Sequence, residues 1–130
     1  MNYTYNPDEA EWEAVLLGHR IVSVEQYNDE SATLTLEDGT KFRVRGNEGC
    51  GGCSNGYYYV SHIATVDNVI TAVRCDTEPV IPDADHWYEE AYTYRVFVLT
   101  GNQEVNVLTV EGDDGNGYYG TGYYLEILED

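Results

Sequence analysis

Two cysteines separated by two glycines are the residues with the clearest capacity for chemistry. Cys50-Gly-Gly-Cys53 places two thiols on one glycine-rich turn, where both sulfurs can be directed at one metal ion. The same spacing also permits a Cys50–Cys53 disulfide, a redox pair or unligated thiols. Chemistry of the thioredoxin type is disfavoured, because that motif needs a helix starting at the first thiol and a predicted strand follows instead.

A tetrahedral zinc site needs two ligands beyond these thiols, and one predicted hairpin supplies candidates. Asp67-Asn68 predicts a turn that pairs Val60 with Cys75 and His62 with Val73. His62 and Cys75 then become diagonal neighbours on one face, about 7 to 8 Å apart. The alternatives are a small buried hydrophobe at Cys75 and a core or surface histidine at His62. The predicted zinc ligands are Cys50, Cys53, His62 and Cys75.

A second metal hypothesis concerns the segment EGDDGNG. Asp113, Asp114 and Asn116 offer hard oxygen ligands for calcium on a glycine-rich loop. The segment lacks the twelve-residue spacing and the closing glutamate of an EF-hand. Aspartate and glycine in such a segment more often form turns.

Motifs typical of enzymes are absent from the sequence. None of the four serines lies in a G-x-S-x-G elbow. The glycine-rich segment around Cys50 is not followed by the Lys-Ser or Lys-Thr of a phosphate-binding loop. We therefore expect a protein without enzymatic activity. The alternatives are a zinc-binding or thiol-active protein centred on Cys50 and Cys53, and an uncharacterised small-ligand-binding protein or enzyme.

The charge of the chain indicates the kind of partner. The sequence has 24 acidic and 6 basic residues, a formal net charge of −18 and a pI near 4.1. Such a chain repels the phosphate backbone, so direct nucleic-acid binding is excluded. Carboxylates on a folded surface can instead occupy the groove of a basic nucleic-acid-binding protein, as a nucleic-acid mimic or inhibitor does. The alternative is that the acidity serves solubility alone.

Three of the six basic residues form a stripe. Lys41, Arg43 and Arg45 alternate along one predicted strand and therefore share one face of the sheet. This stripe could bind an anionic partner or ligand. The alternative is a ladder of ion pairs with nearby acids such as Glu25 or Glu48, each worth less than about 1 kcal/mol.

Tyrosine is abundant, with 13 residues in 130. Adjacent tyrosines such as Tyr118 and Tyr119 cannot both face the core of a strand, so some must reach the surface. Surface tyrosines are typical of protein contact surfaces. The alternative is that these rings flank the core. We predict that Tyr118, Tyr119, Asp113 and Asp114 belong to a binding surface, together with the basic stripe.

The elements that must position these residues are mostly strands. Acidic residues after Pro7 and a glycine at Gly18 predict one helix over residues 8–17. We expect it to cover a sheet with Ala10, Ala14 and Leu17 among others, and to leave Glu9, Glu11 and Glu13 exposed. Period-two alternation predicts eight strands, near 20–27, 31–37, 40–46, 57–66, 69–75, 91–100, 104–111 and 121–128. A proline-containing loop is predicted over 76–90. We predict an all-β antiparallel meander, a small barrel or a sandwich, forming a single domain over residues 1–130.

Two hairpins have a predicted register. A three-residue loop ending at Gly39 pairs Leu34 with Phe42 and Ala32 with Val44, which keeps apolar residues on one face. A turn at residues 101–102 pairs Val98 with Val105 and Val96 with Val107.

Three segments resemble a known family: LLGHRIVSVE at 16–25, GNEGCGGCSNGYY at 46–58 and VEGDDGNGYYGTGYYLEI at 110–127. They are similar to small acidic proteins of unknown function from actinobacteria and their bacteriophages. The resemblance implies a phage or actinobacterial origin, and it implies no reaction, substrate or catalytic residue. By analogy, a small phage protein of this kind acts on host machinery through a protein partner.

The sequence also predicts where the protein works. No apolar stretch approaches the about 20 residues of a membrane span, and the N-terminal residues have no basic and apolar signal segment. We expect a cytoplasmic protein, in the host cytoplasm if it is encoded by a phage, with no membrane contact.

Overall fold

The computed structural model describes residues 2–28, 30–46, 58–79, 92–112 and 122–128. Its elements in chain order are β1 (Asn2–Tyr5), α1 (Glu9–Leu16), β2 (Ile21–Gln26), β3 (Ser31–Leu36), β4 (Lys41–Gly46), β5 (Tyr58–Ile63), β6 (Ile70–Pro79), β7 (Tyr92–Thr100), β8 (Gln103–Gly112) and β9 (Tyr123–Leu128). Within these residues no helix has the length and apolar character needed to cross a bilayer.

The strands form two antiparallel sheets, one with the order β1-β9-β4-β3-β2 and the other with the order β5-β8-β7-β6. Each sheet contains three strands that are consecutive in the chain, β2-β3-β4 in one and β6-β7-β8 in the other. The last strand of each set then pairs with a strand from elsewhere in the chain, β9 beside β4 and β5 beside β8. The predicted all-β fold with one short helix is therefore confirmed, in the form of a sandwich and not of a closed barrel.

The first predicted hairpin has the register that the apolar pattern favours. Leu34 pairs with Phe42 and Ala32 with Val44. Gly39 ends the loop with a φ of 92°, a left-handed conformation that costs glycine little. As predicted, Lys41 and Arg43 lie on the face that points away from the core.

The second predicted hairpin is wrong, because β5 does not pair with β6. β5 pairs with β8, and β6 pairs with β7, so that Cys75 lies opposite Val96. The predicted partner of Val69, Val66, instead forms an isolated bridge with Ile21 at the start of β2. The segment after β5 thus runs along the other sheet and does not turn back on β5.

The third predicted hairpin is correct near its turn and wrong beyond it. Val98 pairs with Val105, as predicted. A bulge between Val96 and Phe97 then shifts the register by one residue, so that Val96 lies opposite Leu108 and not opposite Val107. Bulges of this kind add a residue to one strand and cannot be seen in an alternation pattern.

Two stretches of strand were not predicted. β1 forms the edge of the five-stranded sheet, where Tyr5 pairs with Tyr124 of β9. β6 extends to Pro79, into the predicted 76–90 loop, and Thr77 pairs there with Tyr94. Proline is tolerated because it ends an edge strand, where its missing N–H is not needed by a neighbour.

α1 begins at Glu9, directly after its N-cap residue Asp8. The Asp8 side chain accepts from the Glu11 N–H at 2.8 Å, and the Glu11 side chain accepts from the Asp8 N–H at 3.1 Å, a reciprocal capping box. The helix buries Trp12 and Leu16, whereas Leu17, which was predicted to cover a sheet, is 39% exposed. Ala10 and Ala14 are also exposed.

Trp12 joins α1 to the five-stranded sheet. Its ring lies edge-on to Phe42 of β4, with the centroids 5.9 Å apart. Its indole N–H donates to the Tyr123 hydroxyl of β9 at 2.9 Å. On the other side α1 packs against β6 of the four-stranded sheet. The helix therefore bridges the two sheets.

Gly46 marks a place where the sheets approach each other closely, because a Cβ added there would collide with the carbonyl oxygen of Tyr58. We predict that Gly46→Ala lowers the free energy of unfolding by more than about 2 kcal/mol, since neither backbone can move away. Gly101→Ala is the matched control: it has a φ of 61° but open space around it, so it should cost about 1 kcal/mol. Urea denaturation measures both, and equal losses would contradict the close approach at Gly46.

Candidate interaction surfaces

The predicted zinc site is not assembled as expected. Cys50 and Cys53 lie outside the described residues. His62 of β5 and Cys75 of β6 lie on opposite edge strands of the four-stranded sheet, separated by β8 and β7. Three interstrand steps of about 4.8 Å place these strands about 14 Å apart, too far for one tetrahedral ion. A zinc site that combines His62 and Cys75 is therefore wrong, and metal binding by the Cys50–Cys53 pair stays a prediction.

His62 and Cys75 each have a different local partner. The His62 Nε2 atom lies 2.8 Å from the Asn106 carbonyl oxygen on β8. The Cys75 N–H donates to the Glu9 Oε1 atom of α1 at 2.9 Å. Each contact joins a strand to the element beside it, which is a structural role.

Cys75 lies in an acidic depression of about 410 Å³ between α1 and β6. Burial raises the pKa of its thiol to about 12, and the charges of Glu9, Asp8 and Glu13 add to this effect. Since the thiolate is both the nucleophile and the metal ligand, Cys75 is suited to neither role near neutral pH. The residues that line the depression are Asn6, Pro7, Asp8, Glu9, Cys75, Thr77 and Tyr94.

Four carboxylates at this depression and the adjoining edge of β6 are called the acidic face: Asp8 and Glu9, which line the depression, Glu13, whose charge acts on Cys75, and Asp76 of β6. Glu9 and Asp76 both act electrostatically on Arg74. The Arg74 guanidinium is already bonded twice to Glu104, at 3.1 and 2.9 Å.

None of the four carboxylates of the acidic face is ion-paired within the part of the chain that the structure describes. The sequence predicted exposed acids on the helix, but not that β6 would lie beside them.

The basic stripe lies on the outer face of β4 and is only partly neutralised. The Arg43 Nη1 atom lies 3.6 Å from Glu126 of β9. The Arg45 guanidinium lies 5.6 Å above the Tyr124 ring. No ion pair of Lys41 or Arg45 occurs within the described ranges.

One of the two carboxylates expected to pair with the stripe has a different partner. Glu25 accepts a hydrogen bond from the Tyr27 hydroxyl at 2.9 Å, and Glu48 lies outside the described residues. The stripe is flanked by a depression of about 370 Å³ that also contains Glu30, whose charge opposes anion binding there.

The remaining predicted binding residues, Asp113, Asp114, Tyr118 and Tyr119, lie outside the described residues, as does Asn116. Calcium binding by this segment and its use as a contact surface therefore stay predictions. Among the described tyrosines, Tyr27 is 62% exposed and Tyr5 is 43% exposed. Tyr58 and Tyr123 are buried, so the tyrosines divide between the core and the surface.

A third cluster was missed in the sequence. His19, between α1 and β2, meets Glu37 and Asp38 in the β3–β4 turn, with the ligand atoms of all three within 4.8 Å of one another. The pairing of β2 with β3 would have revealed this cluster. Ile21 lies opposite Leu36, and two more residues in the same register place His19 opposite Asp38 in the turn. Hydrogen bonds from the Thr40 backbone N–H and side chain lower the pKa of Asp38.

Comparison with known proteins gives a family and no activity. One family model matches residues 14–125, and it is described as a domain of unknown function. No curated protein and no solved structure matches the chain. The matched range begins within α1 and ends within β9, so it includes β2 to β8 and the basic stripe.

The acidic surroundings of Cys75 lead to a testable effect on its reactivity. We predict that Glu9→Gln speeds alkylation of Cys75 by iodoacetamide roughly two- to fivefold. The substitution removes the carboxylate charge that raises the thiol pKa most, while the amide oxygen can still accept from the Cys75 N–H. In the wild type the rate should continue to rise above pH 10, since the pKa of the thiol is about 12.

Site-resolved mass spectrometry separates Cys75 from the other two thiols. Glu25→Gln on β2 is the control and should leave the Cys75 rate unchanged. An unchanged rate in Glu9→Gln, or a wild-type rate that levels off near pH 9, would show that the carboxylates do not act on this thiol.

Proposed function

Since the chain belongs to the family described as Domain of unknown function (DUF7448), which brings no activity with it, we propose that the protein is a non-enzymatic binding protein. Its acidic face binds a basic macromolecule, most simply a nucleic-acid-binding protein whose groove otherwise holds phosphates. The protein then acts as a nucleic-acid mimic or inhibitor. We further propose that it is a phage-associated accessory protein working in the cytoplasm of an actinobacterial host.

One observation carries the proposal: the carboxylates of α1 are held beside the edge strand β6, and among the described residues none of them forms an ion pair. Asp8, Glu9 and Glu13 are close enough to Cys75 to raise the pKa of its thiol. Like charges held together cost stability, and a basic partner would relieve that repulsion. Electrostatic complementarity of this kind also speeds association.

The framework supports presentation of these charges as a fixed pattern. The capping box fixes the first turn of α1, and the Cys75 N–H fixes the side chain of Glu9. Groups that are already ordered lose less entropy when they bind. The acidic face therefore differs from a flexible acidic tail, which must be ordered by its partner.

The acidic face is favoured over the basic stripe as the contact surface. Two cations of the stripe already have partners, Arg43 with Glu126 and Arg45 with Tyr124. A formal net charge of −18 also repels an anionic partner before it reaches the stripe.

Two variants with the same net charge test the proposal. The first, Glu9→Gln with Glu13→Gln and Asp76→Asn, removes three charges from the acidic face and keeps the Asp8 cap. The control, Glu25→Gln with Asp67→Asn and Glu111→Gln, removes three charges elsewhere. The probe is a basic, sequence-nonspecific DNA-binding domain, and its affinity for each variant is measured by calorimetry at low salt.

We expect the acidic-face variant to bind the probe roughly tenfold more weakly than the wild type, and the control to differ by less than about twofold. Duplex DNA should compete with the wild type for the probe, and raising the salt concentration should weaken binding steeply. Equal losses of affinity in both variants would show that binding depends on net charge alone and not on the acidic face. Absence of binding by the wild type would overturn the proposal.

A further inference from the structure

The cluster of His19, Glu37 and Asp38 shares no residue with the acidic face and has the composition of a metal site. His19 Nδ1 lies 3.0 Å from Glu37 Oε2 and 3.9 Å from Asp38 Oδ2. Cations of the first transition row bind imidazole nitrogen and carboxylate oxygen at about 2.0 to 2.2 Å. Two ligands at right angles on such an ion are then about 3 Å apart, so the His19–Glu37 separation already fits.

The third ligand atom is close to its required position. A separation of 3.9 Å between His19 Nδ1 and Asp38 Oδ2 lies between the values for adjacent and opposite ligands of an octahedral ion, about 3.0 and 4.3 Å. A small rotation of one side chain therefore completes a set of one nitrogen and two oxygens.

The backbones that carry these ligands are held in place before any ion binds. The His19 N–H donates to the Leu16 carbonyl oxygen at 3.0 Å, and its carbonyl accepts from the Ile70 N–H at 2.9 Å. In the turn, the Leu36 N–H donates to the Thr40 carbonyl oxygen at 2.8 Å. Binding an ion here thus requires little ordering of the chain.

The two carboxylate oxygens of Asp38 have different contacts. Oδ1 accepts from the Thr40 N–H at 2.9 Å and holds the turn. Oδ2 is the oxygen that faces His19. The arrangement therefore leaves one carboxylate oxygen of Asp38 for a ligand while the other keeps the hairpin in shape.

We propose that His19, Glu37 and Asp38 bind a divalent cation of the first transition row, such as Mn²⁺ or Zn²⁺, at the surface of the protein. The imidazole nitrogen of His19 disfavours Ca²⁺, which takes six to eight oxygen ligands. The exposure of Glu37 and Asp38 leaves the remaining coordination positions open to water or to a ligand from a partner. The ion ties the segment after α1 to the β3–β4 turn.

Mn²⁺ is the probe of choice because thiolates bind it poorly, so Cys50 and Cys53 do not compete. Substoichiometric Mn²⁺ is added to ¹⁵N-labelled protein at pH 7, and the broadening of amide signals is recorded. We expect the signals of residues 18–20 and 36–40 to broaden first, before those of residues 8–13 in the acidic face.

Two variants establish which side chains bind. Asp38→Asn keeps an oxygen for the Thr40 N–H and so preserves the turn, while His19→Gln removes the imidazole. Each should weaken Mn²⁺ binding at the site at least tenfold, measured by electron paramagnetic resonance. The ¹⁵N amide spectrum of each metal-free variant should otherwise match that of the wild type, which shows that the fold is retained. His62→Gln, which changes the exposed histidine of β5, is the matched control and should bind as the wild type does.

The proposal is overturned if Mn²⁺ broadens the signals of the acidic face as strongly as those of the His19 cluster. It is also overturned if Asp38→Asn and His19→Gln bind Mn²⁺ as the wild type does. Neither result affects the basic partner proposed for the acidic face, because the two surfaces share no side chain.

Discussion

Burial of Trp12 is the interaction on which the surface of this protein depends. An isolated helix of eight residues is marginal in water, so α1 needs an anchor in the core. The Trp12 side chain is 1% exposed, and burying a ring of that size stabilises the docked helix by roughly 4 kcal/mol or more. The indole N–H is satisfied by Tyr123, whose own hydroxyl is buried and has a raised pKa mainly because of desolvation.

Docking of α1 decides where charge accumulates. With Trp12 and Leu16 directed inward, Glu9 is placed against the edge of β6, where it accepts from the Cys75 N–H. That contact protects an edge strand from pairing with another chain, as charged residues at sheet edges commonly do. The same docking places the segment after α1 beside Ile70, which fixes His19 at the β3–β4 turn. Both proposed binding surfaces thus follow from one helix position.

Local sequence patterns predicted much of the fold, but they did not predict which strands distant in the chain pair with each other. The register of β3 with β4 followed from keeping Leu34 and Phe42 on one face, a constraint contained in a dozen residues. The pairing of β5 with β8 was not accessible, because alternation specifies which residues face inward and not which strand lies alongside. The part of the zinc prediction that joined His62 to Cys75 failed at this step, since it required β5 beside β6. Glu9 and Glu11 of α1 are exposed as predicted, whereas Glu13 is partly buried. The position of Glu9 next to Cys75 depends on tertiary packing.

Hydrogen exchange of two protons tests most directly whether α1 is held between the sheets. We expect the Trp12 indole N–H and the Cys75 amide to exchange at least about a hundredfold more slowly than in an unstructured chain, although Cys75 lies on an edge strand. Exchange of either proton at the unstructured rate, while the amides of Leu34 and Val98 remain protected, would show that the helix leaves the sheets. The carboxylates of the acidic face would then have no fixed positions relative to β6.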